Sequence, residues 1–294
     1  MLKNILRGVF ILLLSFTVNA ADTIAVNSDM GKPGEPTRVP KESEFKVCAD
    51  QDNMPYSNDK GEGFENKIAE LLAKDLNKEL SYQFWHDRFG FLRNTLNAKR
   101  CDLIIGTNTT YDALNTTKPY YRAGHVWIYR KDSGYDIKNW DSPDLKKSVI
   151  GLVDKSPVTQ ALNSNGLMAN ARAYRIQRDL NLSPGEPVDD VISGKIDIAI
   201  MWGPLGGYYA KQASEDLVVV QIPEYSEGNR KLQGKTYWNI SAGVRKGEDE
   251  RREMIEAAIF RNMDKINAIM DEYGIPHTEP VFIDRLDGYE RHKN

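Results

Sequence analysis

The chain reads as an α/β protein of two lobes, each a doubly wound sheet, joined by two crossing strands. Three observations predict this. Short apolar runs bounded by turn residues alternate with segments of helical period, the pattern of parallel strands covered by helices. Two clean strand patterns, at 123–129 and 238–244, stand apart from that alternation and suit a passage from one lobe to the other and back. Finally, 294 residues, less a leader, supply enough chain for two lobes of ordinary size.

The leader comes first. Lys3 and Arg7 precede an apolar stretch at 8–16, and Val18-Asn19-Ala20 offers the small residues of a cleavage site, so residues 1–20 read as a signal peptide for export to the periplasm. No later run is apolar for long enough to cross a bilayer, and no membrane contact is expected after cleavage. Residues 21–43 carry Gly31, Pro33, Gly34, Pro36 and Pro40 without periodicity and read as a flexible arm. Loss of Lys3 and Arg7 takes the formal charge from −3 to −5. A mildly acidic chain lacks the basic face that a nucleic-acid binder needs.

Lobe one is expected at 44–123 and 238–294, lobe two at 124–237. The first unit is a strand at 45–49, a polar loop at 50–63 and a helix whose Phe64, Ile68, Leu71, Leu72 and Leu76 share one face. A loop leaving the carboxyl end of such a strand borders the ligand crevice of an open α/β sheet. A strand at 79–85, a helix at 89–96 and a buried strand at 101–106 complete a βαβαβ half-sheet. Cys48 and Cys101 fall on the outer two of these strands. If the strands are neighbours, the sulfurs come within bridging range, and export favours the bond, with two free thiols as the alternative.

Beyond the first crossing strand, a strand is expected at 149–153, with Ser156 capping a helix that Pro157 opens. A helix at 188–192, a strand at 196–201, a helix at 208–213 and a strand at 217–222 follow. After the return strand, residues 248–273 read as one long helix with Met254, Ile255, Ala258, Ile259, Met263, Ile266 and Ile269 inward.

Several chemistries are disfavoured. Gly61-Glu62-Gly63 follows a strand, but the third glycine of a dinucleotide fingerprint falls at Asn66 and the loop is too long for a pyrophosphate turn. Asp50-Gln51-Asp52-Asn53 opens like a calcium loop without its later glycine and glutamate in register. There is no G-x-S-x-G, and His86, His125, His277 and His292 lack ligand spacing. No catalytic residue, metal or cofactor is therefore expected, and an enzyme is the weakest class. What remains is a set of polar and aromatic residues at strand ends: Asn53, Tyr56, Trp85, Arg88, Thr107, Asn108, Thr109, Tyr120, Tyr121, Ser156 and Trp202. Flat rings with a few directed donors suit a binding cleft.

The opening strand, Pro55-Tyr56, Gly63-Phe64-Glu65, Asp102 to Gly106, Pro119-Tyr120-Tyr121, Gly194-Lys195-Ile196-Asp197 and Trp202-Gly203-Pro204 resemble type II periplasmic solute-binding proteins of the polar amino-acid class. That class usually carries an Arg after the Thr-rich loop to clamp the ligand carboxylate. Here residues 107–114 contain none, and Trp202 stands where the acid that holds the ligand amine would align. A narrower resemblance, to the MxaJ/XoxJ family, is carried by Val47-Cys48-Ala49-Asp50, Pro55-Tyr56-Ser57-Asn58, the run Gly61-Glu62-Gly63-Phe64-Glu65-Asn66, Arg93-Asn94-Thr95-Leu96, Cys101-Asp102 and Pro119-Tyr120-Tyr121-Arg122. It implies a monomeric, non-catalytic periplasmic companion of a PQQ-dependent methanol or alcohol dehydrogenase, with the dehydrogenase and its c-type cytochrome as partners. The alternative is the receptor of an ABC importer for a small polar solute.

Overall fold

The computed structural model describes residues 39–87, 90–176, 182–224 and 235–281. The expected signal peptide, most of the arm and Arg88 lie outside the described residues.

β1 (Glu44–Ala49) buries Phe45 and Val47 and leaves Lys46 half-covered between them, the alternation of a strand with one packed face. Two short strands, β2 (Asp52–Asn53) and β3 (Ser57–Asn58), form a hairpin in the loop that follows. α1 (Phe64–Asp75) then lays Phe64, Ile68, Ala69 and Leu72 into the core, while Leu71 and Leu76 pack at its edge. Its first amides are satisfied by that loop: Phe64 N donates to Pro55 O at 2.8 Å and Glu65 N to Tyr56 O at 2.9 Å. The same amides are therefore not free for a phosphate. Gly63 is required there, because a Cβ would lie 2.1 Å from Tyr56 O. β4 (Glu79–Phe84) returns parallel to β1 in register from Glu44↔Glu79 to Ala49↔Phe84.

The expected second helix shrinks to a single turn, α2 (Phe91–Asn94). Gly90 enters it at φ 70°, and Thr95 Oγ1 ends it by bonding Phe91 O at 2.6 Å. The expected 101–106 strand is shifted to β5 (Ile104–Asn108). Residues ahead of it still lie beside β1, since Cys48 N donates to Leu103 O and Asp102 N to Lys46 O, both at 2.8 Å. This apposition closes the Cys48–Cys101 disulfide, with Cα atoms 5.3 Å apart.

After β6 (Asn115–Thr116), the long strand β7 (Tyr121–Arg130) is the first crossing. In the second lobe α3 (Pro143–Lys147), β8 (Ile150–Val153), α4 (Thr159–Ser164), β9 (Ala171–Tyr174), α5 (Glu186–Ile192), β10 (Ile198–Trp202), α6 (Gly203–Gln212) and β11 (Leu217–Gln221) follow in order. β8 lies parallel to β9 and β10. β7 runs antiparallel to both β10 and β11 through its second half, and to the return strand β12 (Tyr237–Val244) through its first. One strand thus belongs to two neighbourhoods. Trp127, Ile198 and Ile200 enter one apolar cluster while Val126, Ala199 and Met201 enter another, so this sheet is covered on both faces. A third, separate core joins α1, β1 and β4 to the last two helices.

Three expected elements differ in detail. α6 starts at Gly203 rather than 208, directly off the strand, because Pro204 fits the first helical turn. α4 starts at Thr159 and Ser156 does not cap it with its side chain. The expected long C-terminal helix is broken into α7 (Asp249–Arg261) and α8 (Met263–Glu272). At the break, buried Asn262 turns its Nδ2 back to Ala258 O at 2.9 Å, a side-chain bond that competes with the helical ladder.

Candidate functional site

The carboxyl ends of β1 and β5, the β2–β3 hairpin and the start of α1 form one wall of a cleft of about 560 Å³; the end of β10 with Ile176, Pro184 and Leu205 forms the other. Of the residues expected there, Asn53, Tyr56, Thr107, Asn108, Tyr121 and Trp202 line it. The others do not. Tyr120, one step out of phase with Tyr121, points into the core and donates to Ile105 O at 3.1 Å. Thr109 is turned onto β12, with Oγ1 2.7 Å from Ser241 Oγ. Trp85 sits half-buried past the end of β4, its amide on Ala49 O at 3.0 Å. Buried Ser156 lies 3.3 Å from His125 Nε2.

Three carboxylates outside the expected set of cleft residues also line this wall, Asp50, Glu65 and Asp87. Asp50 holds the wall together: its Oδ1 accepts Asp52 N at 3.0 Å and its Oδ2 accepts Asp87 N at 2.7 Å. Glu65, in the first turn of α1, lies over the backbone of Gly106, where a Cβ would sit 2.0 Å from Glu65 Oε1. Burial, reinforced by the neighbouring charge of Asp87, pushes the Glu65 carboxyl up to about 8. Burial first, and Glu65 second, raise the hydroxyl of Tyr56, which is hydrogen-bonded to the Trp202 side chain across the cleft. The available signal was position: Glu65 opens the helix beside the very strand end that sequence reasoning placed at the crevice.

Behind the lining residue Trp202 lies an aromatic cluster. Trp202, Trp238 and His125 meet edge to face, with centroids 5.5 Å apart for Trp202–Trp238 and Trp202–His125 and 5.9 Å for Trp238–His125. Burial among these groups lowers His125 to about 4, against a backbone hydrogen bond to Thr236 that favours the charged ring. Buried Arg122, on the first crossing strand, is committed elsewhere: it bonds Asn239 Oδ1 at 2.9 Å, pairs with Glu224 and covers the Tyr237 ring. Its guanidinium thus ties the two crossing strands together. Among the described residues, the lining contains no Lys, Arg or His.

A family profile, bacterial extracellular solute-binding proteins, family 3, matches residues 45–275. Protein MoxJ of Methylorubrum extorquens (strain AM1) is 29% identical over 249 residues, covering 81% of this chain and 82% of that protein. The crystal structure of MxaJ from Methlophaga aminisulfidivorans MPT is similar at TM-score 0.70 and 32% identity, over 80% of this chain and all (100%) of that one. The crystal structure of the periplasmic binding protein XoxJ from Methylobacterium extorquens AM1 is similar at TM-score 0.65 and 33% identity, with the same coverage, 80% and 100%. The chain therefore belongs to the family 3 bacterial extracellular solute-binding proteins, with the two-lobed type II periplasmic binding fold, and within them to the MxaJ/XoxJ group.

Proposed function

We propose that this protein is an exported, periplasmic accessory of a PQQ-dependent methanol or alcohol dehydrogenase, which it binds or helps to mature through the cleft. One observation carries the reading away from amino-acid capture: the described cleft residues supply carboxylates but no cation, so a ligand's carboxylate would find no counter-charge among them. Similarity to MoxJ, MxaJ and XoxJ supports the choice of partner. The same reading takes residues 1–20 as a cleaved leader, 44–123 with 238–294 as lobe one, and 124–237 as lobe two. Pull-down against the purified dehydrogenase, with and without its c-type cytochrome, tests it. Retention of the dehydrogenase, or a change in its activity on addition of this protein, is the expected result; absence of both at physiological salt sinks the reading.

A second reading is favoured by the fold and by the cavity itself: a receptor delivering a small polar solute to an ABC importer. It expects a free solute to raise the melting temperature through RT ln(1 + [L]/Kd). A thermal-shift screen of small polar solutes separates the two.

A further inference from the structure

We propose that the cleft receives a basic side chain, lysine or arginine, carried on an extended polypeptide segment of the partner, with its cationic end against Glu65. The inference rests on the accessory reading, because it names the chemistry of the segment that reading places in the cleft.

Charge is the first argument. The wall presents Asp50, Glu65 and Asp87, and the described cleft lining contains no basic side chain. Asp50 is already held by the Asp52 and Asp87 amides and lies 3.6 Å from His86 Nδ1. Glu65 accepts no hydrogen bond from any described residue. Partial burial without a donor is unfavourable for a carboxylate, and an incoming ammonium or guanidinium relieves it. Around Glu65, the rings of Tyr56, Tyr121 and Trp202 line the same space and suit the apolar stem and the charge of a long basic side chain.

Shape is the second argument. A neighbouring compartment of about 490 Å³ shares Asp87, Phe91, Ile104, Gly106 and Thr107 with the cleft and continues outward past Leu92 and the one basic residue of its described lining, Arg93, to Tyr111, which is 48% exposed. The two make one groove that leaves the cleft mouth along lobe one. A single small solute would occupy only the inner part, whereas an extended segment follows the whole path.

Proton linkage follows. Among the described residues, the groups facing Glu65 are Asp87 beyond β4, Tyr56 in the hairpin, Tyr120 just before β7 and Tyr121 at its start. None is cationic, so the free carboxyl keeps its proton to about pH 8 and must release it when the basic group docks. Affinity therefore rises with pH toward that value.

The experiment uses the intact protein and capped heptapeptides with a central lysine, arginine or norleucine, measured by calorimetry. The lysine and arginine peptides should bind about tenfold tighter than the norleucine peptide near pH 8. That margin should shrink near pH 6 and vanish in Glu65→Gln. Glu70→Gln, on the outer side of the same helix and paired with Lys67 at 3.1 Å, should leave it unchanged. Equal binding of the three peptides, a margin that survives Glu65→Gln, or no binding at all overturns the proposal. So does n-butylammonium binding as tightly as the lysine peptide, which would remove the extended segment. A lysine preference without any capture of the dehydrogenase would discard the accessory reading and keep this one. Capture by wild type and Glu65→Gln alike, with no lysine preference, would do the reverse.

Discussion

At the scale of single residues, Glu65 sets the electrostatic character of the cleft. A carboxyl held up to about 8 binds its proton more tightly in the fold than in the unfolded chain, where its ordinary value is 4.5. Its contribution is therefore fully present below the unfolded value and is lost as pH rises through the folded one. The free protein should melt at progressively lower temperature from about pH 5 to about pH 9, and Glu65→Gln should flatten that decline. Because the residue is only partly buried, water moderates the slope. A wild-type decline unchanged in the variant would assign it to another group. Glu65 escaped sequence reasoning because helical spacing put it between the buried Phe64 and Ile68, where a charge ordinarily faces water. Only the close approach of Gly106 turns it into the cleft.

Among elements, strands were more legible than the side chains at their ends. The apolar runs behind β7, β8 and β10 announce themselves, since both faces of the second sheet are covered. Which of two adjacent residues faces the cleft depends on register, and that is why Tyr121 lines it while Tyr120 turns to Ile105 O. Ser156 looked like a cap because it precedes a proline; a partner 31 residues earlier, His125, decides its position instead. Asn262 looked like one more polar residue in a helix, and its burial beside Ala258 was invisible locally. Between elements, Asp102 is the tightest junction. Its side chain is 3% exposed and takes Arg245 Nη2 at 3.1 Å and Arg251 Nη1 at 3.0 Å, joining the start of β5 to the end of β12 and to α7. Asp102→Asn leaves two guanidinium groups without their shared carboxylate and should cost about 3 kcal/mol. For a chain of this size that lowers the melting temperature by about 10 °C. A drop of under about 2 °C would mean that solvent already screens the pair.

Across the whole molecule, the cores of the two lobes are connected by β7 and β12 and by α6 resting on the end of α8, where Tyr208 stacks on Tyr273 and Lys211 Nζ donates to Asp271 O at 2.9 Å. Apolar side chains from β1, β4, α1, α7 and α8 form one cluster, while those from β8, β10 and α4, and those from α5 and α6, form two others on the faces of the second sheet. Residues that contact across an element pair share cooperativity, and strands that merely pass between cores transmit less of it. The disulfide closes a loop within the first of these regions alone, at a sequence separation of 53 residues. On the chain-entropy account, opening it costs about 4 kcal/mol. Under reduction, amide exchange should accelerate through β1, β4 and α1 while β8 and β10 keep their protection. Equal acceleration in both regions would show that the crossing strands, with Arg122 clamped between Asn239 and Glu224, weld the lobes into one cooperative unit. In that case segment binding in the cleft would have to proceed without independent movement of its two walls.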